Sequence, residues 1–551
     1  MLGQVTRTMA SNQTSSKASA PPVWSQKKTR DRAFYGYLAL AFLALTAAVS
    51  IDWSHCKLMD NDEYLSYYGD SAATVRDVVS IQLHYPISLD PPAYHVLSHL
   101  SMDLFGRNER AMRVPALLGF LLFQGGLFVF VRRMAGSRAA IVALLLPLLG
   151  TTYFYSVVGR PYALLLGLYA VSLACWQTAR RRYAAGRPRW LALTGVAAAL
   201  ALAITSHYFG VLILLPICLA EMTRCIRRRE VDNTMLAAIL AGAAGIAIIL
   251  PFRKALMVYR DHYYISRVDL GVIREAYRTI FFRYFEWGAL ARGGLSAVLV
   301  AGLLALAAAT WRRYRQRGAG EPMQEWVALA AIAALPIFGY LFARLVTHTI
   351  EVRYVIAWQF AAMACAAICM EKLLRNRFVF CGVVVGILVI AWVVQGREIE
   401  IYRADRAAKL AGMELPPEVL QTLLSDPHQR IYVQSLENFF TDEHYEPDPR
   451  IRERLSYVYG SSEEVSWLGH DTNAITAQNL THFTRLSMVP YEQFLADPAP
   501  LLLVYRHGWE WIEQDLQARD RRTVYLGPLL RGGLLGVQPP LPAELGAAAN
   551  H

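Results

Sequence analysis

The sequence predicts an all-α polytopic membrane protein of about eleven transmembrane helices, followed by a C-terminal extramembrane α/β domain. Three observations predict it. The 551 residues are 55% hydrophobic and only 18% charged, against about 25% charged in average soluble domains. Charge-free runs such as Leu191–Thr205 and Met235–Leu250 recur across residues 33–395, on the scale needed to cross about 30 Å of hydrocarbon. Finally, the charge is divided. From Gly396 onward 22 acidic residues face 14 basic ones, a net of −8 in a chain of +12, so the positive charge lies earlier, in short Arg clusters between the apolar runs. Nucleic-acid binding also uses basic clusters, but this spacing fits the positive-inside bias of membrane proteins. Ordinary Gly and Pro content and seven Cys exclude collagen-like, disordered and disulfide-stapled architectures.

Residues 1–32 are polar and read as a disordered cytoplasmic tail. The first apolar run, Ala33–Ile51, is too long for the core of a signal peptide and reads as an uncleaved first helix. The next six runs are Val114–Val131, Ala139–Val157, Tyr162–Thr178, Trp190–Ser206, Tyr208–Met222 and Thr234–Phe252. The last four are Leu295–Trp311, Trp326–Leu345, Tyr354–Met370 and Phe378–Gln395. Trp190–Ser206 and Tyr208–Met222 are short, nearly contiguous and flanked by Arg on both outer sides, which predicts a tight hairpin. The Arg clusters at 132–138, 180–189, 224–229 and 312–317, with the basic stretch 372–377, then share the cytoplasmic side with the N-terminus. An odd number of spans places residues 396–551 outside, with the external loops 52–113 and 253–294. In the C-terminal segment, Arg430–Gln434, Leu455–Tyr459 and Leu501–Tyr505 read as short strands between helical stretches.

Few ionisable residues fall at mid-span depth, where transporters and proton pumps place them. The polar residues gather at the outer ends of the helices instead. Asp60, Asp62 and Glu63 follow the first span, Arg160 and Tyr162 lie between the third and fourth, and His207 and Tyr208 between the fifth and sixth. Arg260, His262, Tyr263 and Tyr264 follow the seventh, and Arg344, His348, Glu351, Arg353 and Tyr354 join the ninth and tenth. Any one pair fits interfacial anchoring by Tyr and Arg; their accumulation at one end predicts a site at the membrane boundary. Guanidinium groups there suit a lipid-linked phosphate, and a carboxylate suits proton removal from an attacking hydroxyl. A divalent metal stays open, because His55, Asp60 and Asp62 are close in sequence, although no zinc-like ligand spacing occurs.

The first loop carries the most specific string. After Asp60-Asn-Asp62-Glu63-Tyr64 come Leu89-Asp90-Pro91-Pro92-Ala93-Tyr94-His95 and Leu104-Phe105-Gly106-Arg-Asn-Glu109-Arg-Ala111-Met-Arg113-Val-Pro115. Pro92 suits the first position of a helix, and Ala93–Leu104 reads as a surface-lying amphipathic helix ended at Phe105-Gly106.

These strings resemble the first external loop of GT-C glycosyltransferases. They are most similar to the dolichyl-phosphate-mannose protein mannosyltransferase-like group (glycosyltransferase family 39), which includes bacterial lipid A aminoarabinose transferases. The matching residues are Asp62-Glu63, Pro91-Pro92-Ala93-Tyr94 and the string from Leu104 to Pro115, with Tyr155-Ser156…Arg160-Pro161-Tyr162-Ala163-Leu164 and Arg353-Tyr354. The chain departs at Asp90, where the family often has His or Lys, and at Val157-Val158-Gly159, where it usually has Gln-Glu. A basic group near the donor phosphate is then either missing or supplied from elsewhere, with Arg260 and His262 as candidates.

The resemblance covers roughly residues 33–395. It implies transfer of a sugar from a polyprenyl-phosphate donor to a glycan, lipid or protein acceptor, with inversion, on the outer face of a bacterial inner membrane. It implies no nucleic-acid partner. On this reading Asp62 is the general base and Glu63 orients it or holds the acceptor. Arg160 and Arg353 hold the departing phosphate, while Tyr162, His207, Tyr208 and Tyr354 line the pocket. Asp60 and Tyr94 belong to the substrate-binding set, and Asp90 either contacts the sugar or caps the helix after it. A polyprenyl-lipid transporter or flippase and a non-catalytic membrane scaffold are the alternatives.

Overall fold

The computed structural model describes residues 23–253, 257, 268–278, 323–413, 417–498, 500–505, 511–529 and 532–538. The run Leu295–Trp311 and the candidates Arg260 and His262 lie outside the described residues. Among the described residues six helices are long and apolar enough to cross a membrane: Ala33–Cys56, Glu109–Ala135, Tyr162–Ala184, Tyr208–Arg228, Val352–Cys369 and Arg377–Ala408. A seventh arises if Met323–Ala333 and Leu335–Thr347, bent by 53°, form one broken span. Ser137–Leu149, Trp190–Ser206 and Asn233–Ile249 are shorter apolar helices. Outward-facing Phe378, Trp392 and Leu345 are each more than 70% exposed, as side chains facing lipid are. The chain is an integral membrane protein.

In chain order the first helices are α1 (Val23–Cys56), α2 (Asn61–Asp70), α3 (Val75–His84), α4 (Pro92–Phe105), α5 (Glu109–Ala135), α6 (Ser137–Leu145), α7 (Tyr162–Ala184), α8 (Trp190–Ser206) and α9 (Leu214–Arg228). Helix α1 starts at Val23, inside the stretch read as a polar tail. Helices α8 and α9, expected as a tight hairpin, follow one another through a 3-10 turn at Tyr208–Ile213, but they do not pack as a pair: α8 lies against α7, and α9 against the helix Met323–Ala333. The expected run Ala139–Val157 is not one helix. Helix α6 stops at Leu145 and 3-10 turns follow at Leu146–Leu149 and Phe154–Val157, because Pro147 removes a backbone donor from the helical ladder. Hydropathy averages over such a break. Likewise Gly396, read as the start of the C-terminal domain, lies inside one helix, Arg377–Met413.

Helices α5 and α7 meet backbone to backbone. A Cβ built on Gly167 would lie 2.2 Å from the Gly119 carbonyl oxygen, and one on Gly119 would lie 2.3 Å from Leu164 Cα. Small residues allow this approach in membranes, where packing rather than water exclusion drives helix association. Gly167→Leu is therefore expected to separate the two helices and lower the melting temperature of the purified protein by several degrees. An unchanged melting temperature would contradict this packing.

The expected loop 52–113 is largely helical. Helix α4 begins at Pro92 and ends at Gly106, whose φ of 92° is the left-handed conformation glycine accepts. The expected apolar face is not the buried one: Tyr94 and Met102 are buried together with His95, Ser98, His99 and Ser101, while Leu104 and Phe105 face outward.

The C-terminal region forms a six-stranded mixed sheet in the order β3-β2-β1-β4-β6-β5. The strands are β1 (Ile431–Val433), β2 (Leu455–Tyr459), β3 (Met488–Pro490), β4 (Leu501–Tyr505), β5 (Thr523–Leu529) and β6 (Gly532–Val537). Strands β1 to β4 pair in parallel, with Ile431 opposite both Leu455 and Leu501; β6 runs antiparallel to β4 and β5. The three strands read from the sequence are β1, β2 and β4.

This domain is packed onto the first loop. Its apolar core is continuous with Met59, Tyr64, Ile87, Met102 and Met112. The helix Leu436–Tyr445 lies along α2. Tyr64 donates to Thr441 Oγ1 at 3.2 Å, Tyr68 donates to Glu443, and Phe440 packs against both tyrosine rings. At the start of α5, Glu109 accepts from Tyr445 at 2.9 Å and pairs with Arg406 at 3.1 Å. The domain and the long helix Arg377–Met413 thus hold the loop that carries Asp62.

Candidate active site

The site begins with a capping box. Asp60 precedes α2, and its side chain accepts from the Glu63 backbone N–H at 3.0 Å, while the Glu63 carboxylate accepts from the Asp60 N–H at 3.3 Å. The pair satisfies two of the open donors of the first turn. It also fixes which way that turn faces, because neighbouring helix positions point about 100° apart. Glu63 is turned inward and Asp62 outward.

Glu63 is fully buried and saturated. Arg113 donates to Oε1 at 2.7 Å and to Oε2 at 3.0 Å, Lys57 donates to Oε2 at 2.5 Å, and the Gly159 N–H donates to Oε1 at 2.7 Å. Burial pushes its carboxyl up, but Arg113 and Lys57 outweigh that and hold it at about 2. Arg113 also closes on the Ser54, Lys57 and Leu58 carbonyls. Glu63 is not among the residues that line the cavity beside Asp62. It fastens the turn between α1 and α2 to α5 and to the segment before α7.

Asp62 lines a cavity of about 190 Å³ at the ends of the helices, together with Asp90, Arg160, His207, Tyr208 and Arg353. Tyr354 belongs to the same wall. Four of the five polar connections therefore meet here; the one after the seventh expected span lies outside the described residues. Arg160 pairs with Asp90 at 2.7 Å and donates to Ser66 and Ser88 at 3.1 and 3.0 Å. Arg353 bridges Asp62 at 3.2 Å and Glu351 at 2.7 Å. The Nε–H groups of both arginines are buried and have no hydrogen-bond partner among the described residues, so each has a donor for a further acceptor.

Asp90 does not cap α4, whose N-cap is Pro91. It sits between Arg160 and His207, 3.6 Å from the histidine Nε2. Burial raises its carboxyl, yet Arg160, His207 and His95 hold it below the usual range. His207 is pushed down to about 4, first by burial, against the pull of Asp90. It is neutral at pH 7. Its Nδ1 accepts from the Phe209 N–H at 3.1 Å, which assigns the proton to Nε2, facing Asp90. Burial raises the Glu351 carboxyl against Arg353.

An aromatic floor completes the site. Tyr162, expected to line the pocket, is buried and does not line it; its ring stacks on Tyr354 at 6.1 Å, His207 lies 5.0 Å from Tyr354, and the Arg353 guanidinium lies 5.5 Å from the Tyr162 ring. Tyr208 donates to the Phe252 carbonyl at 3.0 Å. Tyr94 is fully buried behind the cavity and does not line it, and its hydroxyl has no partner among the described residues. Asp60 acts as a cap, though Lys57 also reaches it at 3.2 Å. Among the described residues no group of three or more His, Cys, Asp or Glu could hold a metal.

Sequence reasoning passed over Lys57, the role of Arg113, and four residues of the C-terminal domain that enter the cavity wall: Leu436, Thr472, Asn473 and Thr476. The Asp60-x-x-Glu63 spacing was a readable sign of the inward turn of Glu63. No local signal marks residues more than 350 positions from Asp62 as its neighbours.

Residues 90–253 match the family model of dolichyl-phosphate-mannose-protein mannosyltransferases. That stretch begins at Asp90 and includes Arg160, Tyr162, His207 and Tyr208. The fold as a whole is similar to two crystal structures of ArnT from Cupriavidus metallidurans, each at 15% sequence identity. One is bound to undecaprenyl phosphate, with a TM-score of 0.54 over 91% of this chain and 98% of that one. The other is in the apo state, with a TM-score of 0.55 over 92% and 98%. No curated protein sequence matches the chain. The chain is an integral membrane protein whose fold is similar to that of ArnT, and its segment 90–253 matches the family model of dolichyl-phosphate-mannose-protein mannosyltransferases.

Proposed function

We propose that this protein transfers a sugar from a polyprenyl-phosphate donor to a hydroxyl of a glycan, lipid or protein, on the outer face of the membrane and with inversion. The observation that carries the reading is the meeting of Asp62, a part-exposed carboxylate in the cavity wall, with two arginines, Arg160 and Arg353, where the spans end. The bound undecaprenyl phosphate of ArnT, a protein of the same fold, supports it.

The acceptor hydroxyl gives its proton to Asp62 as its oxygen attacks the anomeric carbon. The bond from that carbon to the phosphate oxygen breaks, and the charge developing on the phosphate falls to Arg160 and Arg353. One in-line displacement inverts the anomeric centre. Neutral His207 and the Asp90 carboxylate hold Arg160 in place, and the aromatic floor carries Arg353. Glu63 is a positioning residue that sets α2. The extramembrane segments, loop 52–113 and residues 396–551, lie on the outer side and the N-terminus on the cytoplasmic side of a bacterial inner membrane.

The phosphate cradle is tested by binding. Arg353→Ala is expected to weaken binding of unglycosylated undecaprenyl phosphate to the purified protein at least tenfold, the effect of losing a charge-assisted contact. Equal affinity in the variant and the wild type would count against this reading.

A further inference from the structure

We propose that the start of the helix Thr472–Thr481, in the C-terminal domain, reads the transferred sugar. The inference rests on the function proposed above and adds what recognises the sugar. The cavity of about 190 Å³ holds on the order of a dozen water-sized groups, which is the scale of one sugar ring and not of a glycan. Its charged residues all come from the membrane-embedded part and its first loop: Asp62, Asp90, Arg160 and Arg353. Among the described residues the C-terminal domain contributes Leu436, Thr472, Asn473 and Thr476. Positions 472, 473 and 476 share one helix face, and that face is polar but uncharged. Hydroxyl and amide groups both donate and accept, which matches the hydroxyls of a neutral ring and not a phosphate. Thr476 donates its hydroxyl hydrogen to the Thr472 carbonyl at 2.8 Å.

This wall is held in register with the phosphate cradle. Behind it, buried Glu464 accepts from the Ala474 N–H at 3.0 Å. On the other side Asn479 donates to the Pro86 carbonyl at 2.9 Å, and His482 stacks on Tyr85 with ring centres 4.2 Å apart. Tyr85 and Pro86 lead directly into Ser88 and Asp90, which contact Arg160. A sugar held against Thr472, Asn473 and Thr476 is thus set relative to the arginines that hold its phosphate. A ring hydroxyl of different configuration would leave Asn473 or Thr476 without its partner, which is how a polar wall discriminates.

The test compares binding of undecaprenyl phosphate with that of undecaprenyl-phosphate monosaccharides, hexoses and pentoses, by the full-length protein. The wild type, Asn473→Ala, Thr476→Val and Thr476→Ser are measured, with melting temperatures as a folding control. The ratio of the two affinities isolates the contribution of the sugar. The expected result is about a tenfold loss of that ratio for the best donor in Asn473→Ala and Thr476→Val. Discrimination among sugars flattens in both, affinity for the bare lipid phosphate is unchanged, and Thr476→Ser retains most of the preference. An unaltered ratio in folded variants, or an equal loss for the bare lipid phosphate, would overturn the proposal. A wild type that binds the glycosylated lipid in preference but never transfers the sugar overturns the function proposed above and leaves this inference to its own ratio.

Discussion

Replacing Glu63 with glutamine is expected to destabilise the folded protein by about 3–5 kcal/mol, the cost of leaving a buried charge without its partner. Two cations depend on this carboxylate. Arg113 is 2% exposed and Lys57 is 3% exposed. Glutamine keeps the shape but supplies one acceptor where Arg113, Lys57 and the Gly159 N–H need several. The loss also carries a pH signature. The folded Glu63 carboxyl lies at about 2, below its ordinary 4.5. Its stabilisation is therefore complete above pH 4.5 and is lost as the pH falls toward 2. Thermal unfolding should show the wild type approaching Glu63→Gln in stability between pH 5 and pH 3. A difference independent of pH across that window would contradict the role given to this carboxylate. Glu63→Gln combined with Arg113→Met should cost less than the sum of the single changes, because the two residues share one interaction.

Asp62→Asn is expected to do the reverse, sparing the fold and removing the chemistry. Asp62 is part-exposed and its carboxylate pairs with Arg353, itself part-exposed, so its loss costs about 1 kcal/mol or less. Turnover should fall about 10²–10⁴-fold, the usual contribution of a positioned general base. Affinity for undecaprenyl phosphate should hold or increase, because Arg353 loses a competing carboxylate. Steady-state turnover and lipid binding on one preparation check both statements. A fall of less than tenfold in turnover would remove Asp62 from the role of base.

The contrast between these neighbours shows what could be read without the structure. An Asp-Glu pair after the first span marks the loop as chemical, but composition does not say which carboxylate faces the substrate. The answer lies in Asp60, whose capping contact rotates the first turn, and in Arg113, 50 residues away, which takes Glu63. The convergence of Arg160, His207 and Arg353 was legible because each sits at the same end of an apolar run, and in a membrane protein that end defines a shared plane. Helix α4 was legible from Pro92 and Gly106, and β1, β2 and β4 from short apolar runs. The break after Leu145 was not, since averaged hydropathy stays high across Pro147. Neither was the polar wall at Thr472–Thr476, because it reaches the cavity only through tertiary contacts such as Asn479 to Pro86.

The central claim is that this cavity transfers a sugar from a lipid phosphate. Its most direct measurement supplies the purified protein with a panel of labelled polyprenyl-phosphate sugars and a cell-envelope extract as acceptor pool. One donor is predicted to be consumed, with free polyprenyl phosphate appearing in equal amount to labelled acceptor. Donors that bind yet remain intact, with no lipid phosphate released, would contradict it.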